Sequence, residues 1–185
     1  FSIVADGSLG SRLFVIDRTT GLLKVAPIPD SAPNGTTLHP ELNYEMLTRT
    51  WLTVRVNDSI LTTDANVNIV ILDVNEPPEL LPATLNVSEA ALAGTVVSGS
   101  PIMGTDVDAD QRLSYRIAQQ TPSAAFTLDA LTGELVVSTS AKLDYEGVNK
   151  YFVTVTATDD GKGRLSATQS YLVSILDAPE RPVVA

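Results

Sequence analysis

The run Tyr151-Phe152-Val153-Thr154-Val155-Thr156-Ala157-Thr158-Asp159 decides the fold class, because Val153, Val155 and Ala157 fall on one face of an extended chain and the threonines on the other. Tyr171, Val173 and Ile175 alternate in the same way further on. Earlier in the chain, Leu52, Val54 and Val56 oppose Thr53, Arg55 and Asn57, and Val67, Ile69 and Ile71 oppose Asn66, Asn68 and Val70. No stretch carries a sustained apolar stripe at helical spacing. The chain therefore reads as all β, its strands having one buried and one wet face.

The alternating segments belong to two copies of one unit. Asp17-Arg18-Thr19-Thr20-Gly21 recurs 112 residues on as Asp129-Ala130-Leu131-Thr132-Gly133, Tyr44-Glu45 recurs 101 residues on as Tyr145-Glu146, and Asp73 recurs 104 residues on as Asp177. The fall in offset places an insertion near Pro27 to Pro40, rich in Pro, Asn, Gly and Thr and so a loop. Phe1-Ser2-Ile3 aligns with Tyr115-Arg116-Ile117, so the first copy is expected to lack what matches Thr84 to Leu113. In the second copy, strands are expected over 85–89, 95–102, 113–118, 125–129, 134–138, 151–158 and 168–176. Seven short strands point to an immunoglobulin-like Greek-key sandwich. The expectation is two tandem sandwiches, the first truncated at its N-terminus: 1–78 including a linker 73–78, 79–182, and 183–185 as the start of a following segment.

A length of 185 residues suits two units of this size. With 22 acidic and 12 basic residues the net charge is −10, which argues against nucleic acid or anionic membrane as a partner and favours bound cations. The absence of cysteine removes disulfides, thiolate nucleophiles and zinc–cysteine sites. No run of 18 apolar residues occurs, and Phe1-Ser2-Ile3-Val4 has no basic leader, so a signal peptide or anchor is expected outside this stretch. Sequons at Asn34, Asn57 and Asn86, against about one expected by chance, lean toward an extracellular glycoprotein.

Alternating strand directions sort the acids by pole. Glu89, Asp144, Glu146 and Asp177 fall at the lower pole of the second copy, and Asp106, Asp108 and Asp159 at its upper pole. End-to-end stacking would set the lower-pole acids of the first copy, Glu45, Asp73 and Glu76, against that upper pole. A single acid at a loop end is an ordinary turn former, but a sorted and repeated set of like charges is costly unless a cation joins them. Hard divalent ions take six to eight oxygens, and Asn75 adds a neutral one, so calcium is favoured over zinc, whose His and Cys ligands are scarce here.

Several motifs together resemble the cadherin repeat family over nearly the whole chain. Asp73-Val74-Asn75-Glu76-Pro77-Pro78 resembles its interrepeat linker, Asp106-Val107-Asp108 its acidic pair, Leu143-Asp144-Tyr145-Glu146 its lower-pole loop, and Thr156-Ala157-Thr158-Asp159 its Ala-x-Asp motif. The resemblance implies linker Ca2+ ions held by Glu45, Asn75, Glu76, Asp106, Asp108 and Asp159, with backbone carbonyls of Val74 and Pro77. Asn43 and Asp73 stand at the edge of this set, Asp73 ordering the linker more than binding metal directly. There are departures. Asn43 stands where the family has Asp, removing a charge; Pro179 replaces a linker Asn and Arg181 adds an opposing charge, which counts against a lower site at Glu89, Asp144, Glu146 and Glu180. The loop Asp108-Ala109-Asp110-Gln111-Arg112-Leu113 is shorter than the family's, putting its Asn carbonyl ligand in question. Asp58 would face a preceding repeat.

The resemblance implies a calcium-rigidified rod in the ectodomain of a membrane-anchored or secreted protein, active in calcium-dependent cell adhesion. Its partners would be neighbouring repeats of the same chain and homophilic or heterophilic surface proteins, with no nucleic acid and no small-molecule substrate. The alternative is a spacer in a matrix or surface-appendage protein without direct adhesive role. Catalysis is not expected: His39 lies beside Pro40 in the insertion, and neither a Ser-His-Asp set nor a phosphate-binding glycine loop occurs.

Overall fold

The computed structural model describes residues 1–27 and 42–180, so most of the insertion, with His39 and the Asn34 sequon, and the segment from Arg181 onward lie outside the described residues. The chain divides into two compact units, Phe1–Val74 and Asn75–Ala185, so linker residues Asn75 to Pro78 pack with the second unit.

The first unit contains β1 (Ser2–Ile3), α1 (Leu9–Leu13), β2 (Phe14–Ile16), β3 (Leu23–Val25), β4 (Arg49–Asn57) and β5 (Thr62–Val70). One antiparallel sheet runs β1-β4-β5, and β2 pairs with β3. Leu52 sits opposite Val67 and is buried with Leu13 and Phe14, while Ile3, Val54 and Ile69 pack around them partly exposed. On the wet face Arg55 grips both oxygens of Asp64 at 2.8 Å, and Thr53 donates to Asn66 Oδ1 at 3.0 Å. Trp51 lies on that same face, 55 % exposed. Helix α1 departs from the all-strand expectation: Ser8 Oγ caps it by accepting from Ser11 N at 3.3 Å. Five residues are too few to leave a periodic signature.

The second unit contains β6 (Glu79–Leu80), β7 (Leu85–Ser88), β8 (Gly104–Thr105), β9 (Ser114–Thr121), β10 (Phe126–Leu128), β11 (Leu135–Val137), β12 (Lys150–Thr158) and β13 (Ser166–Leu176). Its main sheet has the order β7-β13-β12-β9, with β7 parallel to β13 and the other pairs antiparallel. Val153, Val155 and Ala157 from β12 and Tyr171, Val173 and Ile175 from β13 are buried with Val97, Ile102, Phe126, Leu135 and Val137. Each such Val, Ile or Leu contributes roughly 1.5–3 kcal/mol by leaving water. Phe126 and Tyr151 meet edge to face, with centroids 5.5 Å apart. Across the outer face, hydroxyls pair as Thr154 with Ser170 (2.7 Å), Thr156 with Thr168 (3.1 Å) and Thr158 with Ser166 (2.7 Å). The alternation in residues 151–158 thus separates the core face from a hydroxyl-lined outer face, on which Thr156 is itself buried.

The strand expected over 95–102 is broken. Val96 and Ser98 form single bridges to Val136 and Asn86, and Pro101 has no N–H to continue a ladder. Attachment to β11 and its preceding turn persists through Val97 N to Leu135 O (2.9 Å) and Ile102 N to Gly133 O (2.8 Å). The 112-residue repeat is one turn built twice. Asp17 Oδ1 accepts from the N–H groups of Thr19 (2.9 Å) and Thr20 (2.7 Å) and the Thr20 hydroxyl (2.8 Å). Asp129 Oδ1 accepts from Leu131 N (2.9 Å), Thr132 N (2.7 Å) and the Thr132 hydroxyl (3.0 Å). The turns end on Gly21 at φ 74 and Gly133 at φ 73, a region that favours glycine. The N–H groups of Thr20 and Thr132 are the chief cause that holds both carboxyls below their ordinary pKa.

Candidate metal centre

Strand β12 delivers Asp159 directly off its end, and the residue is fully buried. Its Oδ1 accepts from Gly161 N at 3.0 Å, and its Oδ2 accepts from Leu165 N at 3.0 Å and from Asn75 Nδ2 at 3.1 Å. One carboxylate therefore closes the 159–165 loop and fastens the linker. The short strand β8 leads into Asp106, whose Oδ1 accepts from Asp108 N at 3.1 Å. Asp108 is 7 % exposed, and its Oδ2 accepts from Glu76 N at 2.9 Å. Glu76 and Asp108 offer carboxylate oxygens within 4.8 Å of one another. Asn75, Glu76, Asp106, Asp108 and Asp159 thus converge at one pole of the second unit.

Oxygens remain unused there. Asp106 Oδ2, Asp108 Oδ1 and Gln111 Oε1 are buried and accept no hydrogen bond from any described residue. Buried polar atoms are ordinarily satisfied, and an ionised oxygen without a donor is especially costly. A donor set made of carboxylate and amide oxygens fits a hard cation such as calcium, with no nitrogen or sulfur to select zinc. The cradle also requires Gly161, because a Cβ there would overlap Asn75 Oδ1 and crowd the Gln111 amide.

Asn43, Glu45 and Asp73 belong to the first unit. Asn43 Oδ1 accepts from Met46 N at 3.2 Å, forming a turn that carries Glu45 exposed; Asp73 is exposed too. Asp144 makes the equivalent turn in the second unit, accepting from Gly147 N at 3.1 Å. At the opposite pole of that unit, Glu89 accepts from Tyr145 N and Ala178 N, both at 2.7 Å. Glu89, Glu146 and Glu180 bring carboxylate oxygens within 4.8 Å of each other, and the charges of Glu146 and then Glu89 push the Glu180 pKa up. Gln111 carries no metal-ligand expectation in the sequence. The available signal was the shortness of the loop holding it, but its position depends on a hydrogen bond to Asn75, 36 residues away.

The fold and the oxygen-lined pole define an all-β sandwich repeat with a candidate cation site outside its core. Residues 83–176 match the family model for the cadherin domain, and the chain belongs to the cadherin family. Cadherin-99C of Drosophila melanogaster is 33 % identical over 188 residues, covering 97 % of this chain and 10 % of that protein. Protocadherin Fat 4 of Homo sapiens is 29 % identical over 179 residues, covering 96 % of this chain and 3 % of that protein. The chain therefore spans a tenth or less of these relatives' length. Among solved structures, human Protocadherin-24 EC1-2 matches with a TM-score of 0.66 at 20 % identity, over 92 % of this chain and 79 % of that one. Mouse Cadherin-23 EC22-24 matches with a TM-score of 0.63 at 24 % identity, over 96 % of this chain and 52 % of that one. These likenesses establish the immunoglobulin-like cadherin fold. No helix among the described residues is long and apolar enough to cross a membrane.

Proposed function

We propose that this chain is an extracellular calcium-binding module whose interrepeat junction is stiffened by Ca2+, within a cell-surface protein that serves calcium-dependent adhesion. The observation that carries the reading is the pair of buried carboxylate oxygens, Asp106 Oδ2 and Asp108 Oδ1, that accept no hydrogen bond from any described residue. Bound calcium would supply two positive charges and six to eight coordination positions. Asp159 orients Asn75 through its amide, and Asp108 fixes the backbone at Glu76, so the second unit presents the linker's ligands in place. Glu45 from the first repeat would complete the set, with Asn43 and Asp73 at its edge and Asp73 ordering the linker. Pro77 and Pro78 restrict the linker without setting its angle.

Extracellular calcium modules bind with dissociation constants of about 10⁻⁴ to 10⁻³ M, so millimolar calcium should fill the site and chelation empty it. Small-angle scattering in calcium should show a longer maximum dimension and a narrower distribution of shapes, and proteolysis near Asn75 should slow. A scattering profile and cleavage rate indifferent to millimolar calcium would sink the reading. Bead aggregation with the parent ectodomain tests the adhesive part: beads that fail to cluster on calcium addition would make the module a spacer.

A further inference from the structure

We propose that Gln111 is a metal ligand of this site, its side-chain Oε1 supplying a neutral oxygen to the bound cation; the inference rests on the calcium reading above. A chain of hydrogen-bond polarity sets the direction of that oxygen. The Asp159 carboxylate accepts from Asn75 Nδ2, which fixes which end of the Asn75 amide faces it. Asn75 Oδ1 is then turned toward Gln111, whose Nε2 donates to it at 2.6 Å. Gln111 must therefore present its NH2 to Asn75 and aim Oε1 elsewhere, and that oxygen is buried with no donor among the described residues. It shares this state with Asp106 Oδ2 and with Asp108 Oδ1, the latter on a side chain only 7 % exposed.

The backbone explains how the short loop achieves this. Asp110 adopts φ 68, a left-handed conformation that Asp tolerates, and Arg112 N is pinned to Asp160 Oδ1 at 2.9 Å. Gln111, held between these two residues, is directed into the space above Gly161, where only a missing Cβ leaves room for both amides. An amide oxygen on a neutral side chain is a suitable calcium ligand, and it completes coordination without adding to the local negative charge.

Calcium calorimetry on the full chain is paired with terbium luminescence, whose decay in H2O and D2O counts metal-bound waters. Gln111→Leu should weaken calcium binding about tenfold and admit about one extra water to the bound terbium. Gln111→Glu keeps a ligating oxygen but removes the NH2 donor, and it should bind calcium at least as tightly as the parent with no extra water. Urea midpoints in chelator report folding, and the Glu variant alone decides the matter if the Leu variant does not fold. Parent affinity and water count in Gln111→Leu would overturn the proposal. So would a Gln111→Glu affinity loss with an extra water, since Gln111 would then only position Asn75 through its NH2. A parent chain that binds neither ion at millimolar concentration would remove the calcium reading itself, and the assignment with it.

Discussion

Replacing Asp108 by Asn should move stability and calcium affinity in opposite directions. Asp108 is 7 % exposed, with one oxygen holding Glu76 N at 2.9 Å and the other buried without a donor. The substitution keeps an acceptor for Glu76 N and replaces the buried donorless oxygen with an NH2 group. It also removes one of two like charges. At the 4.8 Å limit between the Glu76 and Asp108 oxygens, unit charges repel by about 3.5 kcal/mol at an effective dielectric near 20. Counterions and water at this pole reduce that figure, leaving an expected gain of about 1–2 kcal/mol in chelator. For a domain of this size the gain raises the melting temperature by roughly 5 °C. In calcium the sign reverses, because the variant has lost a charged ligand and its affinity should fall tenfold or more. Thermal melts in EDTA and in millimolar calcium, with calorimetry for the affinity, read both arms. A variant that is less stable than the parent in EDTA yet binds calcium equally well would refute the reasoning, since Asp108 would then be a structural acceptor and no ligand.

Asp159→Ala behaves differently, because Asp159 is fully buried and its removal strips acceptors from Gly161 N, Leu165 N and Asn75 Nδ2. It should cost roughly 3 kcal/mol even in chelator and speed hydrogen exchange at Gly161 and Leu165, and an unchanged urea midpoint would contradict the assignment. At the opposite pole, the Glu180 pKa is raised above 4.5 chiefly by Glu146, then Glu89, so ionising Glu180 opposes the fold. Its contribution is greatest below pH 4.5 and declines as pH rises through the elevated folded pKa; Glu180→Gln should abolish that decline, which urea midpoints measured from pH 4 to 7 would detect.

Local chemistry was legible in the sequence because it depends on neighbours a few residues apart. The alternation of Val153, Val155 and Ala157 gave a buried face wherever the strand was placed, and Asp129 to Gly133 form their turn from groups within the pentapeptide. The 112-residue offset therefore corresponds to one turn built twice. The apolar alternation over 95–102 overstates the strand, because it does not register that Pro101 lacks the N–H a ladder needs. The sequence marks Asp159 as an upper-pole acid in an Ala-x-Asp motif, but its burial is not encoded there: only the return of Leu165 and the arrival of Asn75, 84 residues away in the chain, make it a buried hub. Gln111 is the limiting case. Its oxygen has a direction only because Asp159 orients Asn75 and Asn75 orients Gln111, and the space for both amides exists only because residue 161 has no Cβ. Hydrogen-bond polarity passed between segments distant in the chain is set by tertiary contact, so no local pattern encodes it.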